Sequence, residues 1–199
     1  HTPRNSPDLY AMGANFARAG GIALAMETIG SGERSVSARW EHKTYQRCLI
    51  GAQLMLAGEE LSGWIAWDIS RAADYLIERG DVDPKRLGVL GGVAGGGDLV
   101  AVASAVDERF DVTIPFNFSS NRPFGGYYDP PRTLVGSDTA GLTPCMLDAL
   151  AAPRRFIQAQ EFAWTDGSKE SYARLNKIYG WLVEEKNLTF LHGGEQTHA

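Results

Sequence analysis

The chain has 199 residues, of which 44% are hydrophobic and 22% are charged, as is usual for a globular domain with a sizeable core. Its formal net charge of −5 argues against nucleic acid or an anionic membrane as a partner. No apolar run approaches the length needed to cross a bilayer, and Cys48 and Cys145 are too few for a disulfide framework. We therefore expect a single domain over residues 1–199.

The first part of the chain alternates between helical and strand patterns. A helix is expected over residues 7–19, and a buried strand follows over 21–28, ahead of a loop at 30–34. Apolar residues then recur at helical spacing over 43–57 and 60–79. This spacing predicts two amphipathic helices.

The second part of the chain continues the alternation. The predicted elements are, in order, a strand at 86–91, a strand at 112–116, a long polar and aromatic loop at 117–143, a strand at 155–160, a helix at 168–184 and a strand at 188–191. Strands that alternate with helices predict a mostly parallel sheet covered by helices on both faces. The predicted fold class is therefore α/β with three layers.

A glycine-rich segment joins the strand at 86–91 to an alanine-rich helix. Residues 88–97 read Gly-Val-Leu-Gly-Gly-Val-Ala-Gly-Gly-Gly. A strand, a glycine-packed turn and a helix are the context of the nucleophile elbow Gly-x-Ser-x-Gly, and Ala94 lies where the serine would be. The glycines fit neither a dinucleotide fingerprint nor a phosphate loop in any register. A purely structural strand-to-helix turn is the alternative interpretation.

Four other segments carry recognisable motifs. They are Gly-Ser-Gly-Glu-Arg at 30–34, Trp-Asp-Ile-Ser-Arg-Ala-Ala-Asp-Tyr-Leu at 67–76, Val-Asp-Pro-Lys-Arg-Leu-Gly-Val at 82–89 and Ala-Ala-Pro-Arg at 151–154. Together with the glycine-rich turn, and in this order, they resemble α/β-hydrolases of the acetyl xylan esterase type and, more distantly, glucuronoyl esterases. The resemblance covers nearly the whole chain. It implies the α/β-hydrolase fold, a serine esterase lineage and no cofactor.

The resemblance also implies where the catalytic groups lie. Acyl transfer on this fold uses a nucleophile, an acid and a base in the chain order Ser, Asp or Glu, His. With position 94 as the nucleophile position, the acid is expected after the strand at 155–160, at Glu161, with Asp166 as the alternative. The base is expected after the last strand, at His198, with His192 as the alternative.

Oxyanion donors and substrate contacts complete the expected site. The backbone amide of Gly95 would be one oxyanion donor, and an amide near Thr2 the other. Arg34 could contact the substrate or form a buried ion pair with Glu33, and the sequence does not choose between these roles. Tyr127 lies in the loop at 117–143, whose aromatic residues either shape a sugar-sized pocket or pack internally. No His, Cys and carboxylate cluster has metal-ligand spacing, so no metal is expected.

The start of the chain suggests that one strand comes from elsewhere. His-Thr-Pro-Arg at 1–4 resembles the family's oxyanion loop, which follows strand 3 in the sheet order 1-2-4-3-5-6-7-8. That strand would lie between the strands at 21–28 and 86–91. Because two unpaired apolar edges are costly, we expect a second polypeptide or a further N-terminal segment to complete the sheet.

Two functional hypotheses follow from the sequence. The first is a serine-dependent carboxylic ester hydrolase that acts on a polar ester, such as that of a carbohydrate, and that Ala94 renders inactive or nearly so. The alternative is a natural non-catalytic homologue that binds a ligand or a partner protein. Because candidates for the acid and the base are still present, the first hypothesis is favoured.

Overall fold

The computed structural model of the chain describes residues 12–36, 43–92, 96–116, 134–160 and 166–192. Within these ranges the elements are α1 (Met12–Arg18), α2 (Lys43–Leu56), α3 (Leu61–Glu78), β1 (Leu87–Gly91), α4 (Gly97–Val106), β2 (Phe110–Pro115), α5 (Pro144–Ala149), β3 (Arg155–Gln160), α6 (Asp166–Trp181) and β4 (Leu188–His192). Single turns of 3₁₀-helix lie at Gly32–Arg34 and Glu185–Asn187. No helix in these ranges is long and apolar enough to cross a membrane.

The four strands form one parallel sheet in the order β1-β2-β3-β4. They lie where strands are predicted at 86–91, 112–116, 155–160 and 188–191, which confirms those four predictions. At least one helix lies in the connection between each strand and the next, as parallel pairing requires. The α/β class expected from the alternating pattern is therefore confirmed.

The predicted helices are found near their expected bounds. The helix expected at 7–19 corresponds to α1, with residues 7–11 outside the described ranges. Those expected at 43–57 and 60–79 correspond to α2 and α3, and that at 168–184 to α6. Helix α5 has no counterpart among the predicted elements, because six residues are too few to show an apolar period.

The segment at 21–28 is not the buried strand that the sequence predicts. It pairs with no described strand, and none of its residues is buried. Ile22 and Leu24 keep 41% and 43% of their surface exposed. An apolar run becomes a strand only beside another strand, and among the described residues β1 pairs with β2 alone. Met26 and Ile29 do pack against the core, so the end of the segment is held in place.

Two hydrophobic clusters attach helices to one face of the sheet. Val89, Phe156 and Leu188 occupy the same row across the strands, and each packs within one of these clusters. The first cluster joins α3 and α4 to β1 and β2 through Leu61, Ile65, Ala66, Ile69, Ala73, Leu87, Leu99, Ala103 and Phe110. The second joins α5 and α6 to β3 and β4 through Cys145, Ala151, Phe156, Leu175, Tyr179 and Leu188. Leu90 and Leu191, on the opposite face, are 43% and 50% exposed.

Candidate functional site

Around the turn between β1 and α4 the backbone is packed so closely that a side chain does not fit at three of the glycines. A Cβ atom at Gly91 would lie 2.3 Å from the carbonyl oxygen of Gly96, and one at Gly96 would lie 2.3 Å from that of Gly92. A Cβ atom at Gly97 would lie 2.3 Å from the carbonyl oxygen of Phe116. Only a residue without a side chain tolerates such a close approach of backbone to backbone, so glycine is required at positions 91, 96 and 97.

This turn lies at the carboxyl ends of the strands. The amide of Phe116 donates a hydrogen bond of 2.9 Å to the carbonyl oxygen of Gly91, which joins the ends of β1 and β2 beside the turn. Ligand sites of open α/β sheets lie at this edge. Ala94 and Gly95, the predicted nucleophile position and oxyanion donor, lie between Gly92 and Gly96 and outside the described residues.

Strands β3 and β4 end side by side at the same edge. Gln160, the last residue of β3, is the register partner of His192, the last residue of β4. Glu161 follows Gln160 directly, and His198 lies a few residues beyond His192. The chain segments that lead to the predicted acid and base therefore leave the sheet as neighbours. Glu161, His198 and the side chain of His192 lie outside the described part of the chain.

Asp166, the alternative acid, is the first residue of α6. Its side chain is fully exposed, and its Oδ1 accepts a hydrogen bond of 3.2 Å from Lys169 Nζ. An exposed pair at this spacing is an ordinary contact on a helix surface. Thr2 and Tyr127, the other oxyanion candidate and one of the candidate substrate contacts, lie outside the described residues.

Arg34 is anchored to α3 rather than to Glu33. Its Nη1 donates to Asp68 Oδ2 at 2.6 Å and to the carbonyl oxygen of Glu27 at 3.2 Å. The amide of Glu33 donates to Glu27 Oε2 at 2.8 Å. The Arg34 side chain is 40% exposed, so the buried ion pair with Glu33 that the sequence leaves open is not formed. The contacts hold the loop at 30–34 against the middle of α3.

An ion-pair network that the sequence analysis does not anticipate joins α3 to the connection between α4 and β2. Arg109 donates to Asp107 through Nε at 2.9 Å and through Nη2 at 2.6 Å, and it pairs with Asp74. Ser70 Oγ donates to Asp107 Oδ2 at 2.8 Å. The hydrogen bonds from Arg109, helped by that from Ser70, lower the pKa of Asp107 to about 2 although partial burial opposes the shift. Because Asp74 and Arg109 are 35 residues apart, spacing in the sequence does not reveal their pairing.

The described residues also bear on metal binding. Their His, Cys, Asp and Glu side chains form no group of three or more that could hold a metal ion.

Known proteins resemble this chain in part of its sequence and in most of its fold. No family model matches it. A stretch of 113 residues is 29% identical to the provisionally named hydrolase YtaP of Bacillus subtilis (strain 168), covering 57% of this chain and 32% of YtaP. The chain therefore matches about a third of the length of that relative.

Solved structures resemble the chain over a larger part of its length. A provisionally assigned acetyl xylan esterase from Bacteroides fragilis NCTC 9343 aligns with 96% of this chain and 54% of its own at a TM-score of 0.74 and 16% identity. The glucuronoyl esterase catalytic domain of Hypocrea jecorina aligns with 78% of this chain and 52% of its own at a TM-score of 0.59 and 19% identity. Methylesterase BT1017 aligns with 87% of this chain and 36% of its own at a TM-score of 0.55 and 24% identity. The chain spans about half the length of the first structure, and it has the α/β-hydrolase fold of these esterases.

Proposed function

We propose that this chain derives from serine-dependent carboxylic ester hydrolases acting on polar esters, including those of carbohydrates, and that Ala94 leaves it with little or no activity. The proposal rests on the turn between β1 and α4, where glycine is required at positions 91, 96 and 97. A strand, a turn of this tightness and a helix are the setting of a nucleophile elbow. The esterase names of the similar structures support the same lineage.

The proposed catalytic groups occur along the chain in the order that this fold uses, which is nucleophile, acid and base. In an active form, a serine at position 94 would attack the ester carbonyl, His198 would accept its proton, and Glu161 would orient the imidazole. The adjacent ends of β3 and β4 support this assignment. We prefer Glu161 to Asp166 because Asp166 is fully exposed and paired with Lys169. His192 remains the alternative base.

The amides of Gly95 and of a residue near Thr2 would bind the oxyanion of the tetrahedral intermediate. Arg34 is the proposed contact to a polar substrate from the described residues. Its guanidinium is held by Asp68 yet 40% exposed, so its other N–H groups can donate to an ester or hydroxyl oxygen. Tyr127 is the proposed aromatic contact from the loop at 117–143.

We further propose that an additional strand pairs with β1, supplied by another polypeptide or by a segment outside these 199 residues. Within the described ranges β1 has a strand neighbour on one side only. More than 40% of the surface is exposed at each of three apolar residues, Ile22, Leu24 and Leu90. A parallel sheet normally has its apolar edges and faces covered.

Restoring the nucleophile tests the proposed activity. We expect Ala94→Ser to hydrolyse p-nitrophenyl acetate at least about a thousandfold faster than the parent chain, because the triad acts as a unit that fails without its serine. Rates would be measured at neutral pH on both proteins, with circular dichroism to confirm equal folding.

Two further variants in the Ala94→Ser background act as a matched pair. His198→Ala should abolish the gained activity, whereas His42→Ala, which removes a histidine given no role, should retain it. A folded Ala94→Ser protein that is no faster than the parent contradicts the proposal. It would favour the second candidate function, a non-catalytic homologue that binds a ligand or partner, for which Ala94 itself is the supporting observation.

A further inference from the structure

The hydrogen-bond ladder between β2 and β3 is interrupted inside the sheet. Thr113 pairs with Phe156, and the same register resumes where Phe116 pairs with Ala159. The two residues of each strand that lie in between do not pair with one another, although all four belong to the described part of the chain. Strands β3 and β4, in contrast, pair at every residue from Phe156 to Gln160. The gap is therefore local to one place between β2 and β3.

Pro115 accounts for this gap. The amide of Phe116 donates to the carbonyl oxygen of Gly91 on β1. Because alternate residues of a strand direct their backbone groups to opposite neighbours, Thr113 and Pro115 face β3. In the observed register the amide of residue 115 would donate to the carbonyl oxygen of Ile157, and proline has no amide hydrogen. The Ile157 carbonyl thus lacks its ladder donor, although β2 lies between two strands, where proline is unusual.

Two buried side chains near the gap also carry polar atoms without a hydrogen-bond partner. They are the hydroxyl of Thr113 and the carboxamide of Gln158, and both residues have 0% of their surface exposed. No described residue bonds Thr113 Oγ1, Gln158 Oε1 or Gln158 Nε2. Unpaired polar atoms in a protein interior are costly, and nearly all such atoms are bonded either to protein or to ordered water.

These polar groups converge on one position. Side chains alternate between the faces of a strand, so Gln158 lies on the same face as Phe156 and its partner Thr113. Helices α5 and α6 cover this face, since Phe156 packs with them. Thr113 and Gln158 are diagonal neighbours on adjacent strands, roughly 7–8 Å apart, and the carbonyl of Ile157 lies between their rows. A water molecule bonded to both side chains spans such a separation.

We propose that an ordered water molecule is bound between β2 and β3 beside Pro115. It donates to the Ile157 carbonyl oxygen in place of the missing amide, and it accepts from Gln158 Nε2. The Thr113 hydroxyl, which can donate or accept, makes the third hydrogen bond. About three hydrogen bonds to otherwise unpaired groups are typical of a buried water.

The surroundings determine the chemistry of the bound molecule. Thr113, Pro115 and Gln158 are fully buried, so a larger molecule would have to part the strands. The three polar groups are uncharged, so an ion would lose its hydration without gaining a counter-charge. Water supplies both a donor for the carbonyl and an acceptor for the amide. It therefore links β2 to β3 just ahead of Phe116, whose carbonyl oxygen lies against Gly97 at the start of α4.

Two measurements on the parent chain test the proposal directly. A high-resolution crystal structure should show a water about 3 Å from the Ile157 oxygen and from Gln158 Nε2 or Thr113 Oγ1. In solution, ¹⁷O magnetic relaxation dispersion should detect a long-lived internal water that is lost in the double variant Thr113→Val, Gln158→Met. Density for protein alone at this position overturns the proposal. An unchanged number of long-lived waters in the folded double variant does so too.

Urea unfolding of the single and double variants gives a further test. If one water joins the two side chains, removing either leaves the other less well bonded. The combined loss in the folding equilibrium constant should then be smaller than the product of the single losses by about fivefold or more. Thr189→Val is the matched control, because Thr189 is exposed on β4, and its effect should multiply with that of Gln158→Met to within about twofold. Independent effects of Thr113→Val and Gln158→Met contradict a bridging water.

Discussion

Two glycines of β1 differ in what their surroundings allow. A Cβ at Gly91 would meet the carbonyl oxygen of Gly96 at 2.3 Å and Val100 Cγ2 at 2.6 Å. A Cβ at Gly88 would meet Val112 at 3.7 Å, which is an ordinary contact. The sequence shows only that both are glycine, because the close approach depends on how α4 returns to the sheet.

This difference gives a matched pair of variants on one strand. We expect Gly91→Ala to destabilise the protein by about 1–3 kcal/mol, since overpacking against backbone forces a local shift. Gly88→Ala should be neutral or stabilising by a few tenths of a kcal/mol, because alanine lowers the entropy of the unfolded chain. Urea unfolding would measure both, and equal losses of stability would contradict the packing described at the turn.

At the scale of elements, the ionised Asp107 fastens α3 to the start of β2. It accepts from Arg109 and from Ser70 of α3, and these bonds lower its pKa from 3.8 to about 2. A carboxyl group whose pKa is lower in the folded state than in the unfolded chain stabilises the fold above the unfolded value. That contribution is lost as the pH falls through the folded value.

Asp107→Asn should therefore lower the melting temperature at pH 7, and the difference from the parent should shrink as the pH falls from about 4 toward 2. Thermal melts across this range would measure the effect. Asp111→Asn is the control, because Asp111 forms a longer, more exposed pair with Arg155 at 3.6 Å, and it should change little at any pH. A melting difference for Asp107→Asn that stays constant down to pH 2 would contradict the role of the ionised carboxylate.

The sequence predicts a helix or strand well when the residues of that element alone carry its pattern. Helix α3 is expected at 60–79 and found at Leu61–Glu78, because its apolar residues repeat over many turns. The segment at 21–28 is equally apolar yet forms no strand, since strand formation depends on a neighbour that its own residues do not specify. Helix α5 is not predicted, because its six residues are too few to show an apolar period.

For the whole molecule, the side of β1 that has no strand neighbour among the described residues is the feature with the widest consequences. If another strand completes the sheet, the protein isolated from its natural source should carry a second polypeptide or a mass above 21.6 kDa. Intact mass spectrometry under denaturing conditions, beside a native measurement, would show this. A single folded monomer of 21.6 kDa would contradict the proposed strand.

The candidate site is predictable in its framework and much less so in its contacts. The glycine run and the order of the four strands follow from local patterns and from the family resemblance, whereas the roles of Glu161 and His198 stay predictions outside the described residues. The pairing of Arg34 with Asp68, 34 residues apart, depends on how the loop at 30–34 folds back onto α3. The amino-acid sequence alone does not show which residues that are far apart along the chain come together in space.

The steric demand for glycine at positions 91, 96 and 97 has a genetic corollary for residue 94. Alanine codons read GCN and four of the six serine codons read TCN, so a single base change converts any alanine codon into a serine codon. The three glycines that shape the turn are distinct from residue 94, which would perform the chemistry. A gene of this kind could lose its proposed activity and regain it in one mutational step, with the architecture of the turn inherited intact throughout.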